Sequence, residues 1–169
     1  MKNIVKTPIR VFHTIEWNGK KIRLTARQYR GWKYANKIEG KLEKWKFVFE
    51  RHDLGTHKKC DFLVFGMGSL KLERPIYLEV KYSKALIFPC WVKRDYITRF
   101  PEDAESKVVV TNCGLRLTQE AIDLLNKENI KRIYDFQLKS FLEELVYKQW
   151  RRENGLGEMS RGVNHFWSV

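Results

Sequence analysis

The residues best equipped for chemistry are Asp61, Glu79 and Lys81. Glu79 and Lys81 lie two positions apart in "PIYLEVKYSK", residues 75–84. Read as a strand, that stretch alternates. Ile76, Leu78, Val80 and Tyr82 point to one side, and Tyr77, Glu79 and Lys81 to the other. Asp61 stands at the head of an earlier apolar run, "CDFLVFG", residues 60–66. Gly66, Gly68 and Ser69 supply turn residues between the runs, so the two strands can pair as a hairpin and bring the acids together. Two carboxylates on adjacent strands make a hard oxygen site suited to Mg²⁺ or Mn²⁺. The Val80 carbonyl offers a further ligand, and the rest of the shell is left to water and phosphate. Lys81, on the face of Glu79, is placed to hold a water or to neutralise charge on a phosphate. These are the parts needed to hydrolyse a phosphodiester. The bland alternative is a solvated Glu–Lys pair, worth roughly a few tenths of a kcal/mol. The apolar flanks weigh against it, because unpaired charge within an apolar strand is costly.

The elements that must position these residues follow from local pattern. "IRVFHTIEWNGKKIRLT" reads as a hairpin over 9–24, with Asn18-Gly19 as its two-residue turn. Thr25 is an N-cap for a helix through "ARQYRGWKYANKIEGKLEKW", with Gly31, Ala35, Ile38 and Leu42 as its apolar stripe. "KFVFERHD" and "CDFLVFG" are strands, "GMGSLKLERP" is a turn and loop, and Pro75 opens the strand "IYLEVKY". Residues 85–106 carry no clear periodic signal. "KVVVTNCG" is a strand, Thr118 caps the helix "QEAIDLLNKEN", and "IKRIYDF" is a further strand. "LKSFLEELVYKQWRRENG" closes as a helix ending at Gly155. This order predicts an α/β fold, a mixed β-sheet flanked by helices with an N-terminal β-hairpin. It predicts one domain over 1–155 and a tail over 156–169.

Composition narrows the class of partner. Lys and Arg outnumber Asp and Glu by 33 to 20, a net charge of +13, which favours a polyanion and above all nucleic acid. The chain is 43% hydrophobic, enough to fold around a core rather than stay disordered. Cys60, Cys90 and Cys113 lack zinc-finger or redox spacing and read as reduced, small buried hydrophobes. His13, His52, His57 and His165 show no metal spacing. With no signal-peptide pattern and no apolar run long enough to span a bilayer, the expectation is a soluble, cytoplasmic protein without a membrane partner. No glycine loop of nucleotide-binding type appears, so no small-molecule cofactor is expected.

"CDFLVF" followed by "PIYLEVKYSK" resembles the PD-(D/E)xK nuclease signature. "YRGWKYANKIEGKLEKWKFVFERHD" resembles the first helix and strand of archaeal Holliday-junction resolvases. "KVVVTNCGLRLTQEAIDLLNKENIKRIYDFQL" resembles the closing strand–helix–strand unit of Mrr-type restriction endonucleases. The resemblance spans roughly residues 29–138. It implies a restriction-endonuclease-like fold and metal-dependent cleavage of DNA, with Asp61 and Glu79 as metal ligands and Lys81 as the catalytic lysine. It also implies, by analogy with the resolvases, a homodimer. Those resolvases carry an acid early in the first helix, and the position matching it here is Ala35. Glu39, one turn later, is the candidate to take over that role, and Glu43 the next.

Several basic residues are candidates for contact with nucleic acid. Lys58 and Lys59 precede Asp61, alongside His57, and Lys84 extends the strand of Glu79. Lys93 and Arg94 follow Trp91, an aromatic–cation mixture common at phosphate contacts. Arg27 and Arg30 precede the first helix's apolar stripe. The leading expectation is a Mg²⁺-dependent DNA endonuclease. Two alternatives stand beside it: a non-catalytic DNA-binding protein on the same scaffold, and a structural protein whose charge is incidental.

Overall fold

The structure, a computed structural model, describes residues 11–52 and 59–156. The chain begins with a hairpin of β1 (Phe12–Trp17) and β2 (Lys20–Thr25), paired antiparallel. Asn18 and Gly19 both take positive φ, as a tight two-residue turn requires. Thr25 then caps α1 (Ala26–Lys44) through a reciprocal capping box with Gln28.

A mixed sheet of five strands follows: β3 (Phe47–Arg51), β4 (Phe62–Met67), β5 (Leu70–Lys81), β7 (Lys107–Thr111) and β9 (Ile130–Tyr134), in that spatial order. The first two pairings are antiparallel and the last two parallel. Two short strands, β6 (Leu86–Ile87) and β8 (Arg116–Leu117), pair in parallel away from the main sheet. The remaining helices are α2 (Pro89–Asp95), α3 (Gln119–Lys127) and α4 (Leu138–Glu153), with a 3₁₀ turn at Ile97–Arg99.

Alternation along the strands divides the core in two. Ile76, Leu78 and Val80 of β5 pack with Val108 and Val110 under α1 (Ile38, Leu42) and α4 (Leu142, Val146). Tyr77 and Val109 face the other way, with Val92 and Tyr96 near α2 and with Ala121 and Leu125 of α3. The α/β class, the mixed sheet, the flanking helices and the hairpin thus match the sequence reading. Among the described residues no helix is long and apolar enough to cross a membrane.

Three local expectations are corrected. The stretch 66–75 is not a loop, because β5 starts at Leu70 and the connection shrinks to a turn at Gly68 and Ser69. Gly66 makes this possible: its φ is +149°, and a side chain there would lie 1.9 Å from the Leu70 carbonyl oxygen. Pro75 does not open the strand but sits within it, where the β4–β5 register skips from Lys71 to Ile76 and no ladder bond to β4 is lost. Of the cysteines, only Cys60 is buried; Cys90 and Cys113 are exposed. The tail from 157 onward and residues 9 and 10 of the expected hairpin lie outside the described residues.

Candidate metal centre and cleft

Asp61 sits one residue before β4, but the ladder already holds it. His52 N–H donates to the Asp61 carbonyl at 3.0 Å, extending the β3–β4 pairing. Across β4–β5, Val80 N–H donates to Asp61 Oδ2 at 2.7 Å. The acid therefore lies against the C-terminal end of the neighbouring strand, beside Glu79. Glu79 projects to the α2 side of the sheet, where it is only 2% exposed. Its Oε1 meets the Lys81 ammonium and lies 3.8 Å from Arg99 Nε. Its Oε2 is buried with no hydrogen-bond partner. Burial, and then the Asp61 charge, push the Glu79 carboxyl up to about 8. Burial also raises Asp61, against the pull of Lys81, the Val80 N–H, Arg99 and Arg51.

These groups form the floor of a cleft of about 700 Å³. One wall is the hairpin and the start of α1, with Arg23, Arg27, Trp32 and Ala35. The other is α2 and the 3₁₀ turn, with Trp91, Arg94, Tyr96 and Arg99. The structure thus brings together Asp61, Glu79, Val80 and Lys81, and the cleft is lined with positive charge.

Ala35 faces this cleft, and Glu39 does not line it. Glu39 is ion-paired with Arg51, whose guanidinium also donates to Asn36 Oδ1 at 2.8 Å. A role for Glu39 at a metal would require that pair to break. Glu43 is exposed. Lys59 lines the cleft, while Lys58 and His57 lie outside the described residues. Arg94 lines it too, bound to the carboxylate of Asp95 at 2.7 and 2.8 Å. Lys93 is exposed and does not line the cleft. Arg30 and Lys84 line a second hollow that adjoins the first.

Sequence reasoning missed Arg51, His52, Tyr96 and Arg99, all of which line the cleft. Arg51 had a signal: it continues the inward face of Phe47 and Phe49 on β3. It is stacked over Trp17 at 4.2 Å. His52 Nδ1 lies 2.7 Å from the Cys60 carbonyl, an acceptor only, so the proton is on Nδ1. Tyr96 and Arg99 belong to the segment without periodicity; the seven residues of α2 are too few to show a helical stripe.

Among the described residues no group of three or more His, Cys, Asp and Glu side chains is placed to hold a metal ion. A cation here would rest on two carboxylates and main-chain oxygen. The unpartnered, buried Glu79 Oε2 beside a second acid fits that demand, and Mg²⁺ keeps several waters of its own. Compared with known protein families, with curated proteins and with solved structures, the chain matches none.

Proposed function

We propose that the chain is a divalent-metal-dependent endonuclease that hydrolyses DNA phosphodiesters, as its resemblance to PD-(D/E)xK enzymes implies. The observation that carries this reading is the buried, unpartnered Oε2 of Glu79 pressed beside Asp61. An arrangement that keeps two acids together without a partner for one oxygen is costly for stability alone. Asp61, Glu79 and the Val80 carbonyl would hold Mg²⁺ or Mn²⁺. The chemistry such an ion supplies when bound is polarisation of phosphate and of water. The chain's own residues do the rest. Val80 N–H fixes the Asp61 carboxylate. Lys81, with its ammonium also 5.5 Å from the Tyr96 ring centre, is positioned to donate to a phosphate oxygen or orient a water. Arg99, on the opposite wall, adds positive charge where negative charge builds on the phosphate. A resolvase-type version would act as a homodimer, since a junction presents two strands to cut. In either version the enzyme would work in the cytoplasm.

A second reading is a DNA-binding protein without catalysis. Ala35 favours it: this residue faces the cleft at the position where the resembled resolvases carry an acid. One assay separates the two. The chain is incubated with linear duplex, single strands and four-way junctions, with Mg²⁺, with Mn²⁺ and with EDTA. Cutting that needs the metal supports the nuclease, and tight binding without cutting in either metal leaves the binder.

A further inference from the structure

The two hollows form one lane. The second, of about 440 Å³, shares Arg27, Tyr82, Ser83 and Trp91 with the cleft over Asp61 and Glu79, and adds Arg30, Lys84 and Ala85. Three cations of the lane, Arg27, Arg30 and Lys84, are exposed and make no ion pair with any described residue. Their charge is therefore available to phosphates.

Two aromatic rings alternate with these cations. Tyr82 packs on the core beneath α1, 5.5 Å from the Tyr34 ring. Trp91 packs on the opposite core, edge-on to Phe88 at 6.3 Å. Each ring is thus anchored on one side by the core while lining the lane with the rest. The backbone between them is also held. Ser83 N–H donates to Asn112 Oδ1 at 2.9 Å, and Ala85 N–H donates to Ser83 Oγ at 3.0 Å. Lys84 projects from this pinned turn.

Anchored rings between unpaired cations match a particular chemistry. In a duplex the base faces are stacked on one another and unavailable to a protein ring. In a single strand each base has a free face and each phosphate remains an anion. The floor agrees with this. Glu79 is almost wholly buried, and the cleft has the volume of a site for one drug-sized molecule, which suits a nucleotide unit rather than a double helix. We propose that the lane binds single-stranded nucleic acid, with bases stacked on Trp91 and Tyr82 and phosphates on Arg27, Arg30 and Lys84. On the nuclease reading, from which this inference takes its direction, the substrate is then a free single-stranded end, flap or unpaired stretch threaded towards Asp61 and Glu79.

The test is a binding titration in EDTA, so that it does not depend on cutting. Fluorescently labelled oligothymidylate and a duplex of equal length are titrated with the full chain at several salt concentrations. The single strand binds at least about ten-fold tighter. Trp91→Ala weakens it about 5- to 150-fold, the effect of losing one stacked base. Arg30→Ala and Lys84→Ala, both at exposed positions that spare the core, each lower the salt slope by about 0.7. Equal or tighter binding of the duplex overturns the lane. So does single-strand binding that all three variants leave unchanged. Metal-dependent cutting by a protein that prefers duplex would reject the lane and keep the nuclease. Strand binding without cutting in any metal would do the reverse.

Discussion

Val80 N–H donates to Asp61 Oδ2 at 2.7 Å, which ties an acid just before one strand to the C-terminal end of the next. The bond separates the structural role of Asp61 from its charge. Asp61→Ala removes the acceptor and leaves a main-chain donor without its partner, at a cost of about 1–3 kcal/mol. Asp61→Asn keeps an acceptor oxygen and relieves the repulsion with Glu79, so its Tm equals or exceeds that of the unaltered chain. Both variants lose metal-dependent cutting, by about 100-fold or more, on the scale at which single electrostatic groups act. Thermal melts alongside cleavage assays check this. An asparagine variant that melts as low as the alanine variant would contradict it.

Glu79 makes stability depend on pH in an unusual direction. Its carboxyl is raised from an ordinary value of 4.5 to about 8. Between those values the folded chain keeps a proton that the unfolded chain has released, so stability falls as pH rises. In EDTA, Tm should therefore drop between pH 5 and pH 8, and Glu79→Gln should remove that part of the drop. At pH 8 the variant should be the more stable by at least about 1 kcal/mol, or ~2–4 °C in Tm for a chain of this size. Added Mn²⁺ should raise the Tm of the unaltered chain at pH 8 and not that of the variant. A flat pH profile in EDTA would contradict the buried pair.

The parts of this site that were legible share one property: they follow from local periodicity. Alternation on β5 placed Ile76, Leu78 and Val80 in the core and Glu79 with Lys81 on the other face, as found. Asn18-Gly19 placed the turn of the hairpin and Thr25 the start of α1, as found. What stayed hidden depends on contacts distant in sequence. Nothing local says that Arg51 engages Glu39, twelve residues away, or that Arg99 of a 3₁₀ turn approaches Glu79. The Leu70–Arg74 part of β5 was missed because Gly66, Gly68 and Ser69 before it and Pro75 after it are turn and strand-breaking residues, and because its register with β4 skips from Lys71 to Ile76.

Ala35 offers a gain rather than a loss. It lines the cleft from α1 and is buried, but Gly31, one turn earlier, has open space around the position of an added side chain. Ala35→Glu should bring a third carboxylate towards Asp61 and Glu79 and tighten Mn²⁺ binding about ten-fold, read by calorimetry. Glu39→Gln, which alters a residue already engaged by Arg51, should leave Mn²⁺ affinity within about two-fold. Loss of Mn²⁺ binding in Glu39→Gln would instead place that acid at the metal.

The thiols report on the same region. Cys60 precedes Asp61, is 1% exposed, and has its thiol pushed up to about 12, first by burial and then by Glu79. Cys90 and Cys113 are exposed. A thiol reagent at neutral pH should therefore modify two cysteines in the folded chain and the third only on unfolding. Rapid labelling of all three would contradict the packing around Asp61.

The most direct test of the central claim is a comparison of the unaltered chain with Glu79→Gln at pH 8. Both are incubated with DNA carrying single-stranded and duplex segments, in Mg²⁺ and in EDTA. The account predicts cleavage by the unaltered chain in Mg²⁺ only, and a loss of about 100-fold or more in a variant that still melts cooperatively. Equal cutting by the two proteins, or cutting that persists in EDTA, would contradict a metal-dependent centre at Asp61 and Glu79.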